Sequence, residues 1–323
     1  MTITESLKLR RFIAKSKVEN ASKNKDYGYD NINSVKKEKH HMSQKLSRRI
    51  SNTIVYIILI LMTIIWLIPF FCILCESFRV ECTYQVGYVW PKQWGFDNYI
   101  NLFTKTNFGI WLRNTFITAL IVAVLQTIFV LAMSYGLSRL RFKGRKPLMN
   151  VMLILGMFPG FLTLILLYKL LSSWGLAGSN AMWGLIIVYV ASSGMGYYVS
   201  KGFFDTISKS LDEAARVDGA TRFQIFYKII IPLSKPIIIY TILTAFMAPW
   251  GDFVFASYMA HGDKNGMNVA VGLQNLISTP SSLANNYTMF CAGGIIVALP
   301  VTILFMFLQK YYVEGVTGGA VKG

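Results

Sequence analysis

Long runs without a single Asp, Glu, Lys or Arg set the limits on what this chain can fold into. They cover 50–75, 114–138, 147–168, 170–200 and 265–309, and a further run from 236 to about 260 is broken only by Asp252. At a rise of about 1.5 Å per residue, roughly 20 helical residues cross the ~30 Å hydrocarbon core of a bilayer. A soluble packing would instead need six buried helices with almost no polar face. The mean hydropathy of +0.47 and a hydrophobic content of 54% agree with the membrane alternative. The expected architecture is therefore all-α and integral to the membrane. Six transmembrane helices fall near 52–75, 113–137, 148–170, 181–202, 234–258 and 288–310, within a domain over 49–313.

The distribution of Lys and Arg orients these helices. Residues 1–49 carry thirteen of them, the 139–147 turn carries five, and 201–235 carries six. The alternate connections are poor in basic residues: 171–180 has none and 259–287 has only Lys264. The positive-inside rule then puts both termini and the 201–235 segment in the cytoplasm. The net charge of +17 raises nucleic acid as a partner, but the first 49 residues set thirteen basic against five acidic side chains. A basic segment beside anionic lipid accounts for that excess, so membrane lipid is expected as a partner and nucleic acid is not.

The polar stretch 210–236, SLDEAARVDGATRFQIFYKIIIPLSKP, stands apart from the apolar runs. Ser210 with Glu213 has the spacing of a capping box and predicts a helix from Leu211 with Leu211, Ala214 and Ala215 on one face. Asp218-Gly219 supplies a turn, because glycine takes positive φ without a Cβ clash. Thr221 with Gln224 repeats the capping pattern and opens a second helix, its apolar face formed by Phe223, Phe226, Tyr227 and Ile230. Pro232 is expected to end it. The pair offers a small-residue face and an aromatic face.

This segment resembles the EAA loop of the membrane subunits of binding-protein-dependent ABC importers: Glu213-Ala214-Ala215, three residues, Gly219, nine residues to Ile229, and Pro232 to close. The six-helix count and the C-terminal GVTGGAVKG extend the resemblance over 45–323, toward the smaller permease subunit of carbohydrate importers of the maltose/maltodextrin type. It implies a type I importer permease with a cytoplasmic coupling helix in 210–232. Glu213, Ala214, Ala215, Asp218, Gly219, Phe223, Phe226 and Pro232 would then be the ATPase-coupling residues. Implied partners are a second permease subunit, two ATPase subunits and an extracytoplasmic sugar-binding protein, all at the bacterial cytoplasmic membrane. The chain has no G-x-x-x-x-G-K-[ST] phosphate loop, so no catalytic residue and no bound cofactor are expected on it; ATP and Mg belong to the partner ATPase. The expected cargo is a maltodextrin-like oligosaccharide, with another sugar as the alternative. A carrier or channel working without ATP, or a scaffold that moves no solute, are the competing classes. A carrier would more often show several buried ionisable groups than one.

Other features carry alternative readings. Asp252 in APWGDF is the one acidic residue well inside an apolar run, and Pro249, Trp250 and Gly251 adjoin it. Either it lines the translocation path with Pro249 and Trp250, or it lies close enough to the outer surface to be wetted. Cys72 and Cys75 share a helix face, but Cys82 and Cys291 are too scattered to complete a metal site, and all four read as ordinary residues. The aromatic residues of 77–112 suit sugar stacking or an interfacial belt, and the belt is favoured. Pro159, Pro249 and Pro300 are candidate kinks, and Gly156, Gly160, Gly194, Gly196, Gly293 and Gly294 candidate helix-packing positions. The 259–287 connection, rich in Gly, Asn and Ser, is expected to be a polar surface loop that the resemblance assigns to the binding protein. Residues 1–48 read as a disordered basic cytoplasmic tail, 1–41 being either a true extension or the product of an upstream start; 314–323 reads as a cytoplasmic tail.

Overall fold

The computed structural model describes residues 15–17, 49–80, 88–156, 160–192 and 194–320, all helix or connecting turn with no strand. The chain divides into two compact units, residues 1–70 and 71–323. The expectations for the N-terminal tail, apart from residues 15–17, which are helical, and those for Cys82 and Pro159, lie outside the described residues.

The described part of the first unit is dominated by α1, which is helical over Arg49–Ser77. From Arg49 to Phe70 its side chains are exposed all round. A helix with Ile, Leu, Trp and Phe on every face suits a hydrocarbon solvent.

The second unit is built on α3, Phe108–Arg139, preceded by the short α2, Asp97–Lys105. After α3 come α4 (Arg145–Gly156), α5 (Gly160–Ser173), α6 (Ala181–Ala191) and α7 (Gly194–Thr206). Then follow α8 (Lys209–Val217), α9 (Arg222–Leu233), α10 (Lys235–Gly251), α11 (Val254–Ala260), α12 (Val269–Leu276) and α13 (Pro280–Ala320). α3 packs along α10, α7, α6 and α12, while α13 lies against α10, α12 and α2.

Among the described residues four helical stretches are long and apolar enough to cross a membrane: Arg49–Ser77, Phe108–Arg139, Gly178–Thr206 and Pro280–Lys310. α9 and α10 make a fifth if taken together, though they meet at an angle of 82°. α10 alone has 17 residues. The expected third span, 148–170, runs across the undescribed 157–159, with α4 and α5 on either side.

Two cores hold the second unit together. The larger packs Phe108, Trp111, Ala119 and Val122 of α3 against Leu185 of α6, Phe246 and Trp250 of α10, Phe255 and Met259 of α11, and Val269 and Leu273 of α12. The smaller lies at the other end of α3, where Leu131 and Tyr135 meet Phe204, Ala215, Ile225, Ile230 and Ile237. This second cluster seats α8 and α9.

The 259–287 connection corrects the expectation of a polar surface loop. Met267, Val269, Val271 and Leu273 are buried, and α12 lies inside the larger core. Side chains of α3 hold the connection: Trp111 Nε1 donates to Lys264 O at 2.9 Å, Asn114 Nδ2 to Asn265 O at 2.7 Å and Met267 O at 3.1 Å, and Thr115 Oγ1 accepts from Val269 N at 2.8 Å. Gly272 is required there because a Cβ would stand 2.1 Å from the Trp111 ring. The Gly and Asn content that suggested a loose loop serves close packing and capping instead.

Candidate functional site

The polar segment folds into the expected pair of short helices, with different details. Ser208, not Ser210, caps α8: its hydroxyl accepts from Ser210 N at 3.3 Å and lies 2.7 Å from Ser210 Oγ. Helix begins two residues earlier than the Ser210–Glu213 pattern predicted, because the nearer serine offers the same hydroxyl one step before Lys209. At the other end, Gly219 has φ +82°. Its amide donates to Arg216 O at 3.0 Å, and that of Ala220 to Ala215 O at 2.9 Å. These two bonds form a Schellman termination, which satisfies carbonyls the helix end would otherwise leave open. A Cβ at Gly219 would meet nothing within 4 Å, so the left-handed backbone alone selects glycine.

The Thr221–Gln224 capping box is present in both directions, Gln224 N to Thr221 Oγ1 at 3.3 Å and Thr221 N to Gln224 Oε1 at 2.7 Å. Beyond it α9 widens into a π turn over Ile225–Ile230. That turn changes which side chains face inward. Ile225 and Ile230, five apart, are buried, Phe226 is half-buried, and Phe223 (73% exposed) and Tyr227 face outward. A 3.6-residue period had grouped Phe223, Phe226, Tyr227 and Ile230, and a π turn breaks that period. Pro232 does not end the helix, which continues to Leu233 and turns at Ser234. Ile231 N donates to Phe226 O, five residues back, and this widened turn carries the backbone up to a residue with no amide proton.

On α8 the inward residues are Asp212 and Ala215, while Leu211, Glu213, Ala214, Arg216 and Val217 are exposed. Asp212 is 5% exposed and lies opposite Arg139, 8% exposed, with Oδ2 3.6 Å from Nε. Arg139 Nη2 also donates to Phe204 O at 2.9 Å and Ile207 O at 2.7 Å. Tyr135 OH donates to Arg222 O at 3.1 Å, and its ring stands 4.8 Å from that of Phe226. The end of α3 therefore clamps α7, α8 and α9 together. In the sequence Arg139 reads only as a cytoplasmic charge, and the signal at Asp212 is no more than a carboxylate three residues before the small Ala215 on the inward face.

The second group of expected residues sits where α10 breaks. Pro249 lies inside α10, and the break comes after Gly251, at Asp252 (φ −78°, ψ 100°). Asp252 is half-buried and fully engaged. Oδ2 accepts from Tyr189 OH at 2.5 Å, Oδ1 from Phe255 N at 3.1 Å, and its carbonyl from Asn268 Nδ2 at 2.7 Å. Asn268 also donates to Pro249 O at 3.3 Å and accepts from Val271 N at 2.9 Å, capping α12. Trp250 is buried, and its Nε1 has no hydrogen-bond partner among the described residues. Asp252 and Asn268 thus replace backbone partners lost at the break and join α6, α10, α11 and α12. Glu213 and Asp252 belong to different ends of α3, the first beside the smaller core and the second beside the larger.

Cys72, Cys75 and Cys291 are free thiols, and the described residues hold no group of three or more His, Cys, Asp or Glu placed to bind a metal.

Residues 128–318 match the model of the binding-protein-dependent transport system inner membrane component family. The chain belongs to that family. It is 36% identical over 282 residues to the maltodextrin transport system permease protein MalD of Streptococcus pneumoniae, covering 87% of this chain and 99% of that protein. It is 35% identical over 283 residues to the permease MdxG of Bacillus subtilis, also of a maltodextrin system, covering 87% and 100%. The galactooligosaccharide permease GanQ of Bacillus subtilis is 34% identical over 283 residues, covering 86% and 98%. The fold matches a crystal structure of a bacterial ABC transporter involved in alginate import, with a TM-score of 0.68 over 82% of this chain and 98% of that one, at 24% identity. As a family member with several membrane-length apolar helices, it is a multi-pass protein of the bacterial inner membrane.

Proposed function

We propose that this chain is one of two membrane-spanning subunits of an ATP-driven importer and lines the path of an oligosaccharide of the maltodextrin class. The observation that carries the reading is likeness at 35–36% identity over essentially the whole length of two maltodextrin permeases. The galactooligosaccharide relative supports the second reading, a different oligosaccharide carried by the same machinery.

Six crossings follow if α4 and α5 act as one span and α10, set at 82° to α9, supplies another. The basic residues of 139–147 and 201–235 then face the cytoplasm together with both termini. α8 and the start of α9 are the coupling element. Glu213, Ala214 and Val217 (88% exposed) on α8 and Phe223 on α9 stand outward, free to enter a cleft on a separate ATPase subunit. Closure of an ATPase dimer would move α3 as a rigid body through the Arg139 clamp and so alter access along the path. Pro249, Trp250 and Asp252 stand at the helix break beside that path.

The test is reconstitution with the neighbouring permease, ATPase and binding protein, reading ATPase stimulation against a panel of sugars. Stimulation by maltodextrins is expected, and stimulation by none of the panel would remove the sugar assignment. The double variant Glu213→Ala/Gly219→Pro should insert into the membrane and lose the ATPase on purification; normal recovery of the complex would sink the coupling role.

A further inference from the structure

A cavity of about 320 Å³ opens between the end of α3, the start of α4, and α8 with the start of α9. Among the described residues Arg139, Arg141, Arg145, Lys209, Arg216 and Arg222 line it, against two carboxylates, Asp212 and Glu213. Arg139 is the buried floor. Its Nη1 has no hydrogen-bond partner among the described residues, and its Nε faces Asp212 at 3.6 Å, beyond hydrogen-bonding reach. The other five cations make no ion pair within 4.0 Å among the described residues, although Asp205 is close enough to Arg145 to feel its charge. Asp205 is itself held by Lys201 at 2.5 Å and Ser138 at 2.6 Å.

We infer that this cavity binds a phosphate-bearing anion. An unpaired buried guanidinium donor is costly, and so is a cluster of like charges around one hollow. A single carboxylate would answer one of these cations. A phosphate offers several acceptor oxygens and matches the planar fork of arginine, and five of the six cations are arginines. The cavity lies where a membrane-spanning helix ends in charged residues, the level at which lipid phosphates sit. Two sources share this chemistry: the headgroup of an anionic phospholipid and a soluble phosphate. Occupancy would place an anion against the Arg139–Asp212 clamp and the Glu213 side of α8, so that lipid or metabolite could set how firmly α8 is held. The side of the membrane rests on the orientation proposed above, whereas binding itself is read without transport or ATP hydrolysis.

The experiment uses the full chain in its purified assembly, with labelled phosphatidylglycerol in phosphatidylcholine nanodiscs in one arm and inorganic phosphate in the other. Arg141→Gln/Arg145→Gln removes two rim cations, and Lys228→Gln/Lys235→Gln removes two exposed cations outside the cavity. Retention of phosphatidylglycerol over phosphatidylcholine is expected to fall by roughly tenfold or more in the rim variant, the loss of one or two charge-assisted bonds, and to persist in the other. Competition by inorganic phosphate would show that both sources enter. Binding of phosphate alone, with the same sensitivity to the rim variant, would assign the soluble source. Binding of neither anion, equal loss in both variants, or binding by the isolated chain that vanishes once a partner protein is docked would overturn the inference. The unfolding midpoint without added anion checks that the rim variant is folded.

Discussion

At the residue scale, the strongest commitments are polar groups taken out of water in pairs. Arg139 and Asp212 face each other almost fully buried, and removing one leaves the other as an uncompensated charge. Arg139→Ala is expected to cost about 3–5 kcal/mol, and Arg139→Ala/Asp212→Ala less than that single change. Thermal unfolding of the two variants in detergent checks the order. Asp252 is held by a different logic. Its two oxygens accept from Tyr189 and Phe255, so Asp252→Ala strands a hydroxyl and an amide at about 1–3 kcal/mol, whereas Asp252→Asn keeps the acceptor for the helix cap. If Asp252 also serves the path, Asp252→Asn will lower uptake while the unfolding temperature stays near that of the unmodified protein. At Gly272 the demand is steric. Gly272→Ala sets a methyl group against the Trp111 ring and should cost on the order of 1–3 kcal/mol, read in the same unfolding assay.

At the element scale, α8 and α9 are fixed by their ends and leave their outer surfaces exposed. The Schellman turn at Gly219 and the Thr221–Gln224 capping box hold the angle between them. Thr221→Ala removes a cap worth about 0.5–2 kcal/mol, and the expected consequence is faster amide exchange at Gln224 and Ile225 with no change in α3. Phe223 behaves differently because it is exposed. Phe223→Ala should shift stability by no more than about 0.5 kcal/mol while weakening recovery of the ATPase. A large loss of stability would mean that Phe223 braces the bundle instead.

At the scale of the whole molecule, much of the plan was legible in the chain because a membrane allows few solutions. Charge-free runs marked apolar helices, and the Gly219 turn and the Thr221–Gln224 cap were read from local chemistry that depends on neighbours in sequence. What escaped depends on distant partners or on irregular backbone. The Arg139–Asp212 and Tyr189–Asp252 pairs join residues more than sixty positions apart. The π turn at Ile225–Ile230 shifted the buried side of α9 because periodicity assumes a uniform helix. The buried α12 escaped because Gly272 and Asn268, read as loop residues, serve a close approach and a cap. The central claim is that the exposed surface of α8 and α9 connects a sugar path to ATP hydrolysis in a separate subunit. The most direct measurement is uptake of labelled maltodextrin into proteoliposomes holding the complete importer, with and without Glu213→Ala/Phe223→Ala. Uptake is predicted to need ATP and to fall at least tenfold in the double variant; uptake that proceeds without the ATPase subunit, or is unchanged by the substitutions, would contradict the claim.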